Sequence, residues 1–178
     1  MSDRITKLTD FSVDIRSLQD QSNQFLNPEV WNKHNQLCFL NTSGHPADLH
    51  QGVGNTLAPG YPMSGLNESD FTVFNPNHLD TIFYKIYSEF PYPITRMRLM
   101  QIPPKRCYSL HSDGVGEIRY HIPVFTNSGA YFFYQDPIEA IHLPADGSVY
   151  KVQVEDVHSA VNFSATESRL HLVLNAKL

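Results

Sequence analysis

The segment His111-Ser112-Asp113 sets an imidazole and a carboxylate two positions apart. In extended chain, residues i and i+2 project to the same side, so the two groups can converge on one point. The plainest reading of a lone His-x-Asp is a turn aspartate beside a surface histidine. A site needs a third group, and His158 supplies one 47 residues further on. Two neutral imidazoles and a hard carboxylate on one face of a cation, with the other positions open, form the facial set that holds non-haem Fe(II).

Two nearby segments carry charge where a strand should be apolar. Along 117–125, Ile118, Tyr120, Ile122 and Val124 fall on one face, and Arg119 and His121 on the other. Along 168–175, Leu170, Leu172 and Leu174 share one face, while Arg169 and His171 share the opposite one. A half-exposed strand would give the same pattern with no function. Arginine inside such a strand is nonetheless costly unless an anion meets it. Its planar fork suits a carboxylate, gripped through two hydrogen bonds.

These residues need a rigid frame, and the texture of the chain predicts one rich in strands. Segments 96–102, 117–125, 130–134, 148–154 and 168–175 alternate or are dense in β-branched and aromatic residues. Turn signals such as Asp113-Gly114, Asn127-Ser128-Gly129 and Asp146-Gly147 separate them. Many short strands divided by turns predict a sandwich or barrel, with helices packed outside. Leu79, Ile82, Phe83, Ile86 and Phe90 mark one face of an amphipathic helix, with Asn77 as its N-cap and Pro91 as its stop. Earlier, Phe11, Val13 and Ile15 alternate like a short strand, 14–26 reads as a helix, and 35–40 as another strand. Segment 41–66 is rich in Gly and Pro, and a loop of that length is either a lid over a site or a disordered excursion. The reading is a single domain over 1–178, with strands, loop and supporting helix in 1–93 and the β core in 94–178.

Composition removes several function classes. The 178 residues carry a formal net charge of -5 and only 17% charged residues, which excludes a coiled coil or a disordered acidic tail. No block of Lys and Arg marks a nucleic-acid partner, and no run approaches a membrane span. Two cysteines, Cys38 and Cys107, make no disulfide framework and are read as buried small hydrophobes. Together with the lack of an apolar leader after Met1, this predicts a cytoplasmic protein. No heptad seam or dimer motif speaks to oligomeric state. Trp31 and Tyr108 are candidate aromatic walls, although core packing is the commoner use of such residues. His34, His45, His50 and His142 are read as surface or turn residues.

Jointly, Arg98-to-Pro104, His111-Ser-Asp113, Arg119-Tyr-His121 and His158…Asn162…Arg169-Leu-His-Leu-Val-Leu174 resemble the aspartyl/asparaginyl β-hydroxylase family of Fe(II)- and 2-oxoglutarate-dependent dioxygenases. The likeness covers roughly 94–176, with the motifs in family order. It implies a mainly β fold with flanking helices, a double-stranded β-helix or cupin-like jelly roll. It also implies Fe(II), with 2-oxoglutarate and O2 as cosubstrates and succinate and CO2 as coproducts. On this resemblance His111, Asp113 and His158 are the metal ligands. Arg169 grips the distal carboxylate of 2-oxoglutarate, and Arg119 and His121 contact its other carboxylate near the metal. Asn162 matches a position often polar in the family, and His171 stands beside Arg169 as a supporting residue. Two departures stand out: Asp113 replaces the glycine of the animal aspartyl hydroxylases, and Met100 replaces a serine that helps bind the cosubstrate. The expected activity is hydroxylation of an amino-acid residue in a protein or peptide. The alternatives are a free amino acid or small metabolite as substrate, or a non-catalytic cupin-like binding module. Segment 41–66 and the turn 114–116 are the candidates for substrate contact.

Overall fold

The computed structural model describes residues 3–31, 35–54, 64–113, 116 and 118–176. In chain order these form β1 (Ile5–Ser12), α1 (Ile15–Ser22), β2 (Gln36–Cys38), β3 (Leu40–Asn41), β4 (Val73–Phe74) and α2 (Ile82–Glu89). Then follow β5 (Ile94–Ile102), β6 (Arg106–Cys107), β7 (Ile118–Phe125), β8 (Ala130–Tyr134), β9 (Glu139–Ile141), β10 (Ser148–Val152), β11 (His158–Asn162) and β12 (Arg169–Ala176).

From β5 onward the chain passes back and forth between two antiparallel sheets. One has the order β1-β10-β7-β12-β5-β2, and the other β6-β11-β8-β9. Among the described strands of this stretch only β8 and β9, joined as a hairpin, follow each other within one sheet. Interleaving of this kind is a double-stranded β-helix, the cupin-like jelly roll, here with β1 and β2 added at the edges of the larger sheet. β3 and β4 pair separately.

Strict alternation on the central strands divides the interior into two regions. Met97 and Leu99 of β5, Tyr120 and Ile122 of β7, and Leu172 and Leu174 of β12 pack with Leu18, Phe39 and Phe83 beneath the helices. Each such side chain contributes roughly 1.5–3 kcal/mol by leaving water. The opposite face of the same strands looks toward the smaller sheet. There a second cluster of Ile102, Phe132, Tyr134, Leu143 and Val152 fills part of the space. Register aligns the rest: Val173 of β12 pairs with Arg98 of β5 on one side and His121 of β7 on the other. All of β12 is buried, so its Arg169 and His171 face the interior rather than solvent.

Several expectations about elements shift. The strand foreseen at Phe11, Val13 and Ile15 lies earlier, as β1, because the Asp14 carboxylate accepts from the N–H groups of Arg16 and Ser17 and starts α1 at Ile15. Thr81, not Asn77, caps α2; Asn75 caps a separate short turn over 76–78, which leaves Leu79 exposed. Phe90 turns extended before Pro91 and ends the helix. The strand expected over 35–40 divides into β2 and β3. Strands β4, β6, β9 and β11 escape sequence reading, being short or carrying polar residues, and pairing partners rather than periodicity define them. Cys38 is buried as expected, but Cys107 is exposed, because β6 is a two-residue edge strand with both residues facing solvent. Gly147 has a left-handed φ of 85°, and a Cβ there would collide with the carbonyl oxygen of Val13. That close approach anchors the start of α1 to the turn before β10. Among the described residues, no helix is long and apolar enough to cross a membrane.

Candidate active site

The three expected ligands meet. His111 Nε2 is 3.9 Å from Asp113 Oδ1, and His158 Nε2 is 3.8 Å from Asp113 Oδ2. One ligand atom from each residue lies within 4.8 Å of the others. The backbone sets this directly, since His111 and His158 form an antiparallel bridge with N–H···O distances of 3.0 and 2.8 Å. Cys107 pairs with Val161 a short way along the same ladder. Between that pair and the bridge the first strand advances four residues and the second three. The extra residue is a bulge, which re-aims the strand and turns His111 inward. Asp113 is then fixed by its N–H donating to Val154 O at 2.8 Å.

Both imidazoles are oriented for a cation. His111 Nδ1 lies 2.7 Å from the carbonyl of Ser109, and His158 Nδ1 lies 2.8 Å from that of Asp156. A carbonyl only accepts, so each Nδ1 bears the proton and each Nε2 turns a lone pair toward Asp113. Backbone anchoring of the non-ligating nitrogen is the usual support of a metal-bound histidine. Burial also holds the His158 pKa below the ordinary histidine range, favouring the neutral, ligating form. Two neutral imidazoles and one carboxylate fit a divalent ion such as Fe(II).

The triad opens into a cavity of about 430 Å³ between the two sheets. Arg169 lines it, with its guanidinium over the Phe132 ring at 5.0 Å and Nη2 3.1 Å from His171 Nδ1. Burial pushes its pKa down to about 10, and among the described residues no carboxylate pairs with it. Arg119 Nη1 instead lies 2.6 Å from Asp113 Oδ2. His121 also lines the cavity, its pKa held well below the ordinary range by burial and then by the charge of Arg169.

Two further arginines line the cavity and escaped the sequence reading as site residues. Arg96 pairs with Glu68 at 2.7 Å and donates to the carbonyls of Gly52 and Gly54. Arg98 donates to Gln36 Oε1 at 3.2 Å and Asn175 Oδ1 at 3.0 Å, both neutral acceptors. Burial and the neighbouring cations push the Arg98 pKa down to about 9. The signal was available, since Arg96 and Arg98 alternate with core residues Met97 and Leu99 just as Arg119 and Arg169 do on their strands.

Other expectations resolve one by one. Tyr108 and Met100 line the cavity, whereas Trp31 packs against the core under the helices. Asn162 is a structural pin: Nδ2 donates to the carbonyls of Ile102 and Glu167 at 2.9 and 2.8 Å, and Oδ1 accepts from Ser164 N at 3.2 Å. His45 and His142 are exposed, and His50 is half-buried. Of segment 41–66, the part around Gly52 and Gly54 packs on Arg96, while 55–63 lies outside the described residues, as do His34, Gly114 and Val115.

Fold and site together define a class: a double-stranded β-helix carrying a His-x-Asp…His set at the mouth of a cation-rich cavity. No family model and no curated protein matches the sequence. Among solved structures, AviO1 from Streptomyces viridochromogenes Tue57 matches with a TM-score of 0.56 and 13% identity over 99% of this chain and 90% of that one. EctD from S. alaskensis with bound Fe matches at 0.51 and 14%, over 98% and 73%. An oxidoreductase of the 2OG-Fe(II) oxygenase family from Burkholderia pseudomallei gives 0.47 and 19%, over 59% of this chain and 61% of that one, less than two thirds of its length. At these identities the likeness is one of fold. The likeness to aspartyl/asparaginyl β-hydroxylases rests on the sequence motifs alone.

Proposed function

We propose that the protein is an Fe(II)- and 2-oxoglutarate-dependent oxygenase that hydroxylates an amino-acid-like substrate. The observation that carries this reading is the pairing, in one cavity, of an oriented His-Asp-His set with a buried guanidinium that meets no carboxylate among the described residues. His111, Asp113 and His158 would hold the metal, and Arg169 would take the distal carboxylate of the cosubstrate. Arg119, already beside Asp113, is positioned to meet a carboxylate near the metal. When bound, the iron and cosubstrate would supply the oxidising power for insertion of one oxygen atom into an unactivated C–H bond. The chain itself supplies orientation and a sheltered interior. The two backbone-anchored imidazoles keep the ligand geometry fixed, and Phe132 and Met100 keep that part of the wall apolar.

The first test is anaerobic addition of Fe(II) and then 2-oxoglutarate. A metal-to-ligand charge-transfer band in the wild type and none in His158→Ala is expected; full iron loading with no band would leave a cupin-like binding module as the better reading. Hydroxylation of a peptide residue is one form of the activity. Arg98 favours a second, because a buried cation among neutral acceptors suits a small molecule with its own carboxylate, such as a free amino acid. A screen for a mass gain of about one oxygen atom over free amino acids and peptides decides between them.

A further inference from the structure

At the Arg169 end of the cavity, two side chains converge on one ring nitrogen of a third. Arg169 Nη2 lies 3.1 Å from His171 Nδ1, and His121 Nδ1 lies 3.4 Å from the same atom. All three residues are buried. A guanidinium carries only donors, so the nitrogen it faces must bring a lone pair. His171 is therefore a neutral imidazole with its proton on Nε2. Burial and the charge of Arg169 both oppose a second proton. His171 Nε2 has no hydrogen-bond partner among the described residues. Leaving a buried donor unmade is costly, so packing alone would favour an apolar residue at this position.

The constraint passes to the neighbour. With His171 Nδ1 bare, His121 Nδ1 meets it favourably only as N–H. That leaves His121 Nε2 without a proton, and Nε2 is the ring nitrogen that His121 can offer to the cavity it lines.

We propose that His171 is a positioning residue whose single Nδ1 lone pair orients the Arg169 guanidinium and holds His121 as its Nδ1–H tautomer. His121 consequently presents an acceptor to the cavity and takes an N–H or O–H group of the bound molecule. This revises the role that the family likeness gives His121, since a bare Nε2 and a carboxylate oxygen are both acceptors and repel. The inference rests on the oxygenase reading only for the identity of the anion on Arg169.

Long-range ¹H–¹⁵N correlation of the imidazoles in the metal-free wild-type protein tests it directly. The expected result is His171 protonated at Nε2 and His121 protonated at Nδ1; the opposite tautomer at either ring overturns the proposal. A second arm titrates 2-oxoglutarate by calorimetry into His171→Asn, which keeps an acceptor near Nδ1, and into His171→Leu, which does not. The Leu variant should weaken binding about tenfold or more and the Asn variant less than about threefold, with thermal midpoints of both near the wild type. Equal binding by the two variants removes the positioning role. A wild type that fails to bind 2-oxoglutarate but has the expected tautomers refutes the oxygenase reading and sustains the histidine arrangement.

Discussion

Replacing Arg169 with methionine separates a residue kept for a ligand from one kept for the fold. Burial lowers its pKa from the ordinary arginine range to about 10, which corresponds to roughly 3 kcal/mol held against the charged form. Methionine removes that penalty and fills much of the same volume. It also forfeits the contact over Phe132 and the hydrogen bond to His171, each worth about 1 kcal/mol. The terms nearly cancel, so Arg169→Met should unfold within about 4 °C of the wild type, and on the higher side. An arginine committed to a buried structural ion pair would behave differently, costing about 3–5 kcal/mol when removed. Differential scanning calorimetry with and without 2-oxoglutarate, in the presence of Fe(II) under nitrogen, reads both effects. Ligand at about 100 times its dissociation constant should stabilise the wild type by about 2.7 kcal/mol and the variant hardly at all. A ligand-free fall of more than about 8 °C, or an undiminished response to 2-oxoglutarate, would refute the reasoning.

Three other outcomes follow from the same structure. Substituting His158→Ala should remove both the charge-transfer band and iron-dependent succinate formation while the protein stays folded, as checked by circular dichroism; unchanged turnover would end the metal assignment. Asn162→Ala strips several buried hydrogen bonds at once and should cost about 3 kcal/mol, or about 6–12 °C in midpoint by scanning calorimetry. Burial, and then the charge of Arg169, depresses the pKa of His121 and His171 below the unfolded value of 6.5. The unfolded chain therefore takes up more protons as pH falls, so their contribution is whole above about pH 6.5 and lost below it. The expected slope is up to roughly 1 kcal/mol per pH unit for each histidine, measured as urea midpoints between pH 7.5 and 5. A flat profile there would contradict their neutral burial.

The sequence by itself determined much of the site's chemistry and the class of its frame. His111, Asp113 and His158 could be singled out because ligand chemistry restricts residue type, and a two-residue spacing in extended chain restricts direction. Arg169 and Arg119 could be singled out because a cation opposite an apolar strand face is expensive without an anion to meet, and His171 and His121 because they share those arginines' faces. The same rule holds for Arg96 and Arg98, which alternate with Met97 and Leu99 on β5. What only the tertiary structure decided were the relations between strands distant in sequence. The bulge before His111, the carbonyls of Ser109 and Asp156 behind the two imidazoles, and the pinning role of Asn162 all depend on which ladder each short strand joins. β6 and β11 hold too few apolar residues to declare themselves, and long-range pairing defines them. The shared nitrogen of His171 belongs to the same group. It exists because β12 lies beside β7 with Val173 opposite His121, which brings His121 and Arg169 to one side chain 50 residues from the first and two from the second.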